Sequence, residues 1–279
     1  MRLGFHASIT GSIDRAVDRA KEKGCNTFQI FTRNPRGWSF KDLGDYEVSE
    51  FVRKTKQYGI DPPIAHMPYL PNLASPKDDL YEKSVQTLIS DLERCGRLKI
   101  PYLVTHLGSH LGVGVELGCK RIIDACDRAL KQVSNDVMLL LENTAGQKNS
   151  LGSSFEDLKY ILNRTQQKER VAICFDTCHA FAAGYDLRNK DAVQKTLDQF
   201  NKVIGFNHLK VIHLNDSKGC LGCKSDRHEH IGLGYIGEAG FQAVLHHEVL
   251  RNLPLILETP VDSRRDDAGN LQKVRQLYR

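Results

Sequence analysis

The chain has no apolar run near the roughly 20 residues that a membrane-spanning helix needs. Its longest candidate, Val137 to Leu141, has the length of a strand. No apolar stretch of signal-peptide length precedes the first polar helical segment, so a cytoplasmic, intracellular protein is expected, with no membrane partner. Cysteine is sparse: eight in 279 residues are too few for a disulfide scaffold. Cys25, Cys95, Cys119, Cys126 and Cys174 fall inside apolar patterns and read as small core residues. Low-complexity runs, linkers and solenoid repeats are missing as well, so nothing marks a second domain. A large excess of either charge is also absent. The net charge of +5 is compatible with a polyanionic partner without indicating one.

What is present is ordinary globular material, 41% hydrophobic and 26% charged, which excludes wholesale disorder. The length suits one large domain spanning 1–279. Short apolar runs alternate with amphipathic helical stretches. The runs are Arg2–His6, Thr27–Phe31, Pro63–His66, Tyr102–His106, Val137–Glu142, Val171–Asp176, Leu209–His213 and Pro254–Glu258. Their nearly continuous apolar character predicts strands buried on both faces, as in a parallel sheet. Between and after them the pattern predicts helices over Ser12–Lys23, Tyr46–Tyr58, Asp78–Arg97, Gly114–Val133, Phe155–Leu162, Asp191–Ile204, Glu238–Leu250 and Asn270–Tyr278. Eight such units predict an α/β fold of one closed (β/α)8, or TIM, barrel. An open doubly wound sheet is the structural alternative.

Seven of the eight predicted strands end in His, Asp or Glu: His6, His66, His106, Glu142, Asp176, His213 and Glu258. In a barrel these positions converge on the C-terminal rim, where active sites sit. Asp176-Thr-Cys-His179 adds an imidazole just past the sixth strand. Asp226-Arg-His228 adds a pair that an extended loop turns to one side. Five imidazoles (His66, His106, His179, His213, His228) and four carboxylates (Glu142, Asp176, Asp226, Glu258) form the candidate set. Nitrogen plus carboxylate ligands suit Zn²⁺, Mn²⁺ or Fe²⁺ better than Mg²⁺ or Ca²⁺. Four clustered carboxylates alone would repel one another. Nine ligands with a shared carboxylate accommodate three divalent ions, whose residual positive charge would attract a hydroxide and a phosphodiester. Taken singly, each residue could equally be a rim ion pair or a capping group; the shared location argues for a metal site.

Several stretches are more specific than this pattern. They are Phe31-Thr-Arg-Asn-Pro-Arg-Gly-Trp38, Tyr69-Leu-Pro-Asn-Leu73, His106-Leu-Gly-Ser-His110, Leu141-Glu-Asn-Thr-Ala-Gly146, Phe175-Asp-Thr-Cys-His-Ala-Phe-Ala-Ala-Gly-Tyr-Asp186, His213-Leu-Asn-Asp-Ser217, Asp226-Arg-His-Glu-His-Ile-Gly232 and Leu257-Glu-Thr-Pro260. Through them the chain resembles the endonuclease IV family of apurinic/apyrimidinic (AP) endonucleases over essentially its whole length.

The resemblance implies a zinc-dependent phosphoric diester hydrolase of DNA base-excision repair, with three Zn²⁺ ions and Mn²⁺ admissible at one position. By family pattern His66, His106 and Glu142 would hold the first ion. Glu142 would bridge to the second, with Asp176, His213 and Glu258. His179, Asp226 and His228 would hold the third. A hydroxide shared by the first two would attack the phosphorus 5′ to an abasic site in double-stranded DNA, leaving a 3′-hydroxyl and a 5′-deoxyribose phosphate. Glu142, Glu258 and Asp176 would be catalytic as ligands holding that hydroxide.

The family inserts side chains into damaged DNA, and the matching positions are Arg36, Tyr69 and Leu70. A wedge fills the gap left by a missing base, and the unpaired sugar is cheap to extrude. Core packing is the bland alternative for Tyr69 and Leu70, against which Pro68 and Pro71 favour a loop tip.

Gly37, where the family often carries glutamine, and Met67 and Pro68, which replace polar residues common beside the wedge, depart from the pattern. Cys220-Leu-Gly-Cys223 is a C-x-x-C without a second pair and reads as a variable loop. His6, His110, Asn143 and His230 are candidate supporting groups that would orient ligands or phosphate from behind. His208, His246 and His247 read as solvated or helix-end residues. One chain supplies all nine ligands, so a monomer is expected. The rival functions are a metal-dependent sugar isomerase or epimerase on a similar barrel, and a non-catalytic binder of damaged DNA.

Overall fold

Short, β-branched and aliphatic runs build a barrel of eight parallel strands in the computed structural model, which describes residues 1–39 and 41–279. The barrel strands are β1 (Arg2–Phe5), β2 (Phe28–Phe31), β3 (Pro63–His66), β4 (Tyr102–Thr105), β5 (Met138–Glu142), β6 (Val171–Asp176), β7 (Leu209–His213) and β10 (Pro254–Leu257). Their order around the sheet is β1-β10-β7-β6-β5-β4-β3-β2, and every pairing is parallel. The seam closes where His6 bridges Gln29 and the Ala7 amide donates to the Gln29 carbonyl at 2.7 Å. Closure depends on Gly4, because a Cβ there would fall 1.9 Å from the Thr27 carbonyl oxygen. The sheet is therefore not the open doubly wound alternative.

The helices are α1 (Arg15–Glu22), α2 (Asp45–Gln57), α3 (Asp78–Leu98), α4 (Val115–Gln132), α5 (Phe155–Arg164), α6 (Thr177–Ala183), α7 (Lys190–Val203), α8 (Gly237–His246) and α9 (Asp267–Leu277). The longest helix, α3, buries a stripe at helical spacing, Val85, Leu88, Ile89, Leu92 and Cys95, the period expected of a helix lying on a sheet. Among the described residues, none of the helices is long and apolar enough to cross a membrane. Cys25, Cys95, Cys119, Cys126 and Cys174 are buried as expected.

Among the departures from the sequence expectation, three have a local cause. α1 starts at Arg15 rather than Ser12, because Gly11 takes φ +95 and the Ser12 hydroxyl donates to the Asp14 carboxylate, holding a turn ahead of the helix. α8 ends at His246 because His247 is extended; Leu250–Asn252 is a separate 3₁₀ turn. Between β6 and β7 there are two helices, not one. The extra helix, α6, is buried at six of its seven positions and so carries no amphipathic period in its sequence.

Inside the barrel, Ile64, Val104, Leu140, Ala172, Cys174, Val211 and Ile256 form one apolar cluster. A strand repeats its facing every two residues. Two positions beyond Ile64, Val104, Leu140, Cys174, Val211 and Ile256 come His66, His106, Glu142, Asp176, His213 and Glu258. The apolar plug is thus capped at its C-terminal end by a polar layer.

Candidate metal centre

Three groups of side chains meet at that end, with donor atoms within 4.8 Å of one another in each group: His66, His106 and Glu142; Glu142, Asp176, His213 and Glu258; and His179, Asp226 and His228. All nine residues singled out in the sequence are brought together. Six come from the ends of five neighbouring strands and of β10. His179 comes from α6, whose N-terminus is capped by Asp176 accepting from the His179 amide at 2.7 Å. Asp226 and His228 lie on the excursion after β7. That excursion is closed by a two-stranded antiparallel ribbon, β8 (Asp216–Ser217) with β9 (His228–Glu229).

Glu142 is fully buried at the centre. Its Oε2 lies 3.1 Å from His66 Nε2 and 3.5 Å from His106 Nδ1. Its Oε1 lies 3.0 Å from His213 Nδ1. The two oxygens therefore face different groups, the disposition a bridging carboxylate needs. Asp176 stands between the second and third groups, with Oδ2 3.9 Å from His213 Nδ1 and 3.7 Å from His228 Nε2.

The imidazole orientations are set from behind. His66, His179 and His228 each place Nδ1 on a backbone carbonyl, of Met67, Asn143 and Glu258, at 2.6, 2.9 and 3.0 Å. A carbonyl can only accept, so Nδ1 carries the proton and Nε2 turns its lone pair inward. His179 Nε2 and His228 Nε2 are buried with no hydrogen-bond partner, although Asp226 Oδ1 lies off their donor line at 3.1 and 3.4 Å. Buried, aimed and unsatisfied nitrogens beside carboxylates fit a divalent cation, and these nine residues could hold one or more such ions.

Charge tells the same story. Burial pushes the Glu142 and Glu258 carboxyls up, but facing imidazoles outweigh it, His106 and His213 for Glu142 and His213 for Glu258, and hold both well below the usual range. Burial pushes His179 and His213 down, but carboxylates led by Asp176 at His179, and Cys174 followed by Glu258 and Glu142 at His213, hold both imidazoles well above their ordinary value. The carboxylates demand positive charge, and metal binding would displace those protons. A fourth grouping, Asp176, Cys178 and His228, is close enough in space. There burial pushes the Cys178 thiol up to about 12 and its Sγ already donates to the Arg227 carbonyl at 3.6 Å.

Of the candidate supporting groups, His6 places Nδ1 3.4 Å from Glu258 Oε1. Asn143 donates to the Asp176 carbonyl and accepts the Asp176 amide, at 3.0 and 2.7 Å. His110 and His230 do not reach the ligands. His110 Nδ1 accepts the Gly112 and Gly114 amides at 3.2 and 3.1 Å, shaping the approach to α4. His230 is held by Asp262 at 3.0 Å and Asn270 at 2.9 Å.

Three supporting residues went unforeseen. Gln29 Oε1 accepts from His213 Nε2 at 2.8 Å, and its Nε2 donates to Glu258 Oε1 at 2.6 Å. Asn215 donates to Asp176 Oδ2 at 2.7 Å and accepts the Glu258 amide at 2.8 Å. Asp216 accepts the amides of Ser217, Gly232, Gly234 and Ile236 at 2.8–3.0 Å, tying down the segment that follows the ribbon. Asn215 and Asp216 stand inside a noted motif without an assigned role. The signal for Gln29 was the second strand itself, which ends without a ligand.

His66, His106, His179, Asp226, His228 and Glu258 line an open cleft of about 550 Å³, together with Phe31, Tyr69 and Thr259. It continues past His106, His179 and Asp226 into a second hollow beside Leu70, Ser109 and Lys148. Tyr69 and Leu70 stand exposed at the edge rather than in the core, and Arg36 is exposed on the loop after β2.

Comparison with known proteins agrees with this geometry. Residues 17–279 match the family model described as a xylose isomerase-like TIM barrel. The chain is 56% identical over 276 residues to a probable endonuclease 4 of Methanoculleus marisnigri, covering 99% of this chain and 98% of that one. To the probable endonuclease 4 of Nitrosopumilus maritimus it is 52% identical, covering 99% and 100%. The crystal structure of endonuclease IV from Thermus thermophilus superposes with a TM-score of 0.89 at 36% identity, covering 99% and 98%. A D-tagatose 3-epimerase-like protein shares the barrel, with a TM-score of 0.74 at 18% identity, a likeness of fold alone. With eight strands closed around a rim of clustered His, Asp and Glu, and full-length relatives above half identity, the chain belongs to the endonuclease IV family of AP endonucleases.

Proposed function

We propose that this protein is a DNA-repair nuclease that hydrolyses the phosphodiester 5′ to an abasic site, leaving a 3′-hydroxyl and a 5′-deoxyribose phosphate. The observation that carries this reading is the convergence of nine ligand side chains, in three groups linked by Glu142 and Asp176, six of which line an open cleft while Glu142, Asp176 and His213 lie buried among them. His66, His106 and Glu142 would hold one divalent ion; Glu142, Asp176, His213 and Glu258 a second; His179, Asp226 and His228 a third. Zinc suits this nitrogen and carboxylate set. When bound, such ions supply Lewis acidity and a water that ionises near neutral pH.

The chain's own groups do the rest. Backbone carbonyls and Gln29 fix the imidazole tautomers. The apolar cluster beneath the rim keeps the ligands from relaxing into the barrel. Tyr69 and Leu70, exposed at the cleft edge, would enter a duplex where a base is missing, while the exposed Arg36 would reach a phosphate. Selection for the lesion then follows from the low cost of extruding a nucleotide that has no pairing partner.

The test is incision of one synthetic abasic duplex with and without chelator. Cleavage on the 5′ side, abolished by chelator and restored by zinc, is the expected result. Turnover of ketoses with no incision would place the protein with the epimerases instead. Glu142→Ala should abolish cleavage while retaining DNA binding at least in part; unchanged cleavage would remove the bridge from the scheme. Metal analysis should give close to three ions per chain, and affinity for DNA should fall as salt rises.

A further inference from the structure

We propose that Cys220 and Cys223 form a reversible dithiol–disulfide site, with small-molecule disulfides as co-reactants, and that closing it slows release of a divalent ion from His179, Asp226 and His228. The metal half of this statement rests on the proposed function; the disulfide half does not.

The loop is built for closure. The Cys223 amide donates to the Cys220 carbonyl at 3.1 Å and Gly222 takes φ +74, the arrangement of a type II turn. Such a turn keeps its end Cα atoms within about 7 Å, which overlaps the roughly 4.4–6.8 Å that a disulfide spans. Cys223 Sγ folds back over the chain beside Cys220: a Cβ on Gly219 would lie 2.4 Å from it. Cys220 is exposed and Cys223 half-buried, whereas the other six cysteines are buried. An accessible attacking thiol beside a sheltered resolving one is the disposition that exchange chemistry uses.

The turn is also wired to the ligands. The Gly222 amide donates to the Phe181 carbonyl at 3.1 Å and the Lys224 amide to the Ala182 carbonyl at 2.9 Å, both at the end of the helix that carries His179. The Lys218 amide donates to the Arg227 carbonyl at 2.9 Å, between Asp226 and His228. A cross-link between positions 220 and 223 therefore stiffens the segment from which all three ligands are held.

The reaction balances simply. The Cys220 thiolate attacks one sulfur of the added disulfide and expels a thiolate, leaving a mixed disulfide. The Cys223 thiolate attacks the Cys220 sulfur and expels the second. The two cysteines lose two electrons and two protons, and the reagent gains them as two thiols.

Full-length protein would be treated with oxidised glutathione and mapped by mass spectrometry. A Cys220–Cys223 cross-linked peptide, lacking two hydrogens and reversed by dithiothreitol, is expected. Zinc-loaded oxidised protein should then lose its most labile ion to a chromogenic chelator several-fold more slowly than reduced protein. Cys220→Ser and Cys223→Ser should release it at the reduced rate under both conditions. Absence of the cross-link, or its formation through a buried cysteine, would overturn the site, and equal release rates would overturn the coupling. Failure to hold zinc in either redox state would count against the nuclease reading, while the cross-link is still read by mass.

Discussion

Gln29 donates a hydrogen bond of 2.6 Å to Glu258 from a strand that does not border β10 in the sheet. Its other amide atom accepts from His213 Nε2, so a single neutral side chain orients a carboxylate and fixes an imidazole tautomer. Removing groups of this kind costs roughly 10–100-fold in metal affinity. Gln29→Leu should lower zinc affinity by that order and lose the ion of the Glu142, Asp176, His213 and Glu258 group first, as read by competitive chelator titration. An unchanged affinity would show that the buried rim positions His213 without help.

Asp216 gathers four backbone amides, and Gly234 is required beside it, since a Cβ there would lie 2.5 Å from Asp216 Oδ1. Asp216→Ala would leave buried donors unpaired, each costing about 1–3 kcal/mol. A lower melting temperature is expected together with preferential loss of the ion held by His179, Asp226 and His228. Asp216→Asn should fall between, because one of its terminal atoms is a donor facing amides. Differential scanning calorimetry with metal analysis distinguishes these outcomes.

The barrel and the nine ligands were legible because both follow from a short period. A strand buried on both faces reads as an apolar run, and a polar residue two steps past an inward aliphatic one must lie on the rim. Asp226 and His228 were legible as an i, i+2 pair. The supporting groups were not, because each acts across the sequence: Gln29 meets Glu258 and His213 from β2, and Asn215 joins Asp176 to the Glu258 amide. His110 and His230 show the converse: their rim-like positions suggested service to ligands or phosphate, while the structure ties His110 Nδ1 to loop amides and His230 to Asp262 and Asn270. Helix α6 was missed because burial on all sides erases its period.

The loop after β2 is stapled to α3. Arg94 donates to the Thr32 and Lys41 carbonyls, each at 3.1 Å through Nε and Nη1, and Arg97 to the Leu43 carbonyl at 3.0 Å. Arg33 pairs with Asp91 at 3.0 Å in the interior. Arg36 rides on this loop, so its reach depends on the staple. Arg94→Met should weaken binding of an abasic duplex several-fold while leaving metal content unchanged. Fluorescence anisotropy and metal analysis on the same preparation check both halves.

Tyr69 is 68% exposed and Leu70 40%, a poor use of apolar surface in the free protein. The Tyr69 ring meets Phe31 edge-on at 5.1 Å, which holds it upright at the mouth of the cleft without burying it. Tyr69→Ala and Leu70→Ala should therefore leave melting temperature and metal content almost unchanged, as exposed truncations do. They should reduce affinity for an abasic duplex much more than for an intact one, because only the lesion offers a gap to fill. Arg36→Gln should behave differently. It should weaken binding to both duplexes and lower the slope of log affinity against log salt by about 0.9, the loss of one phosphate contact. If the tyrosine and leucine variants lost affinity equally for both duplexes, these side chains would be tracking the backbone, and selection for the lesion would have to come from the metal-lined pocket alone.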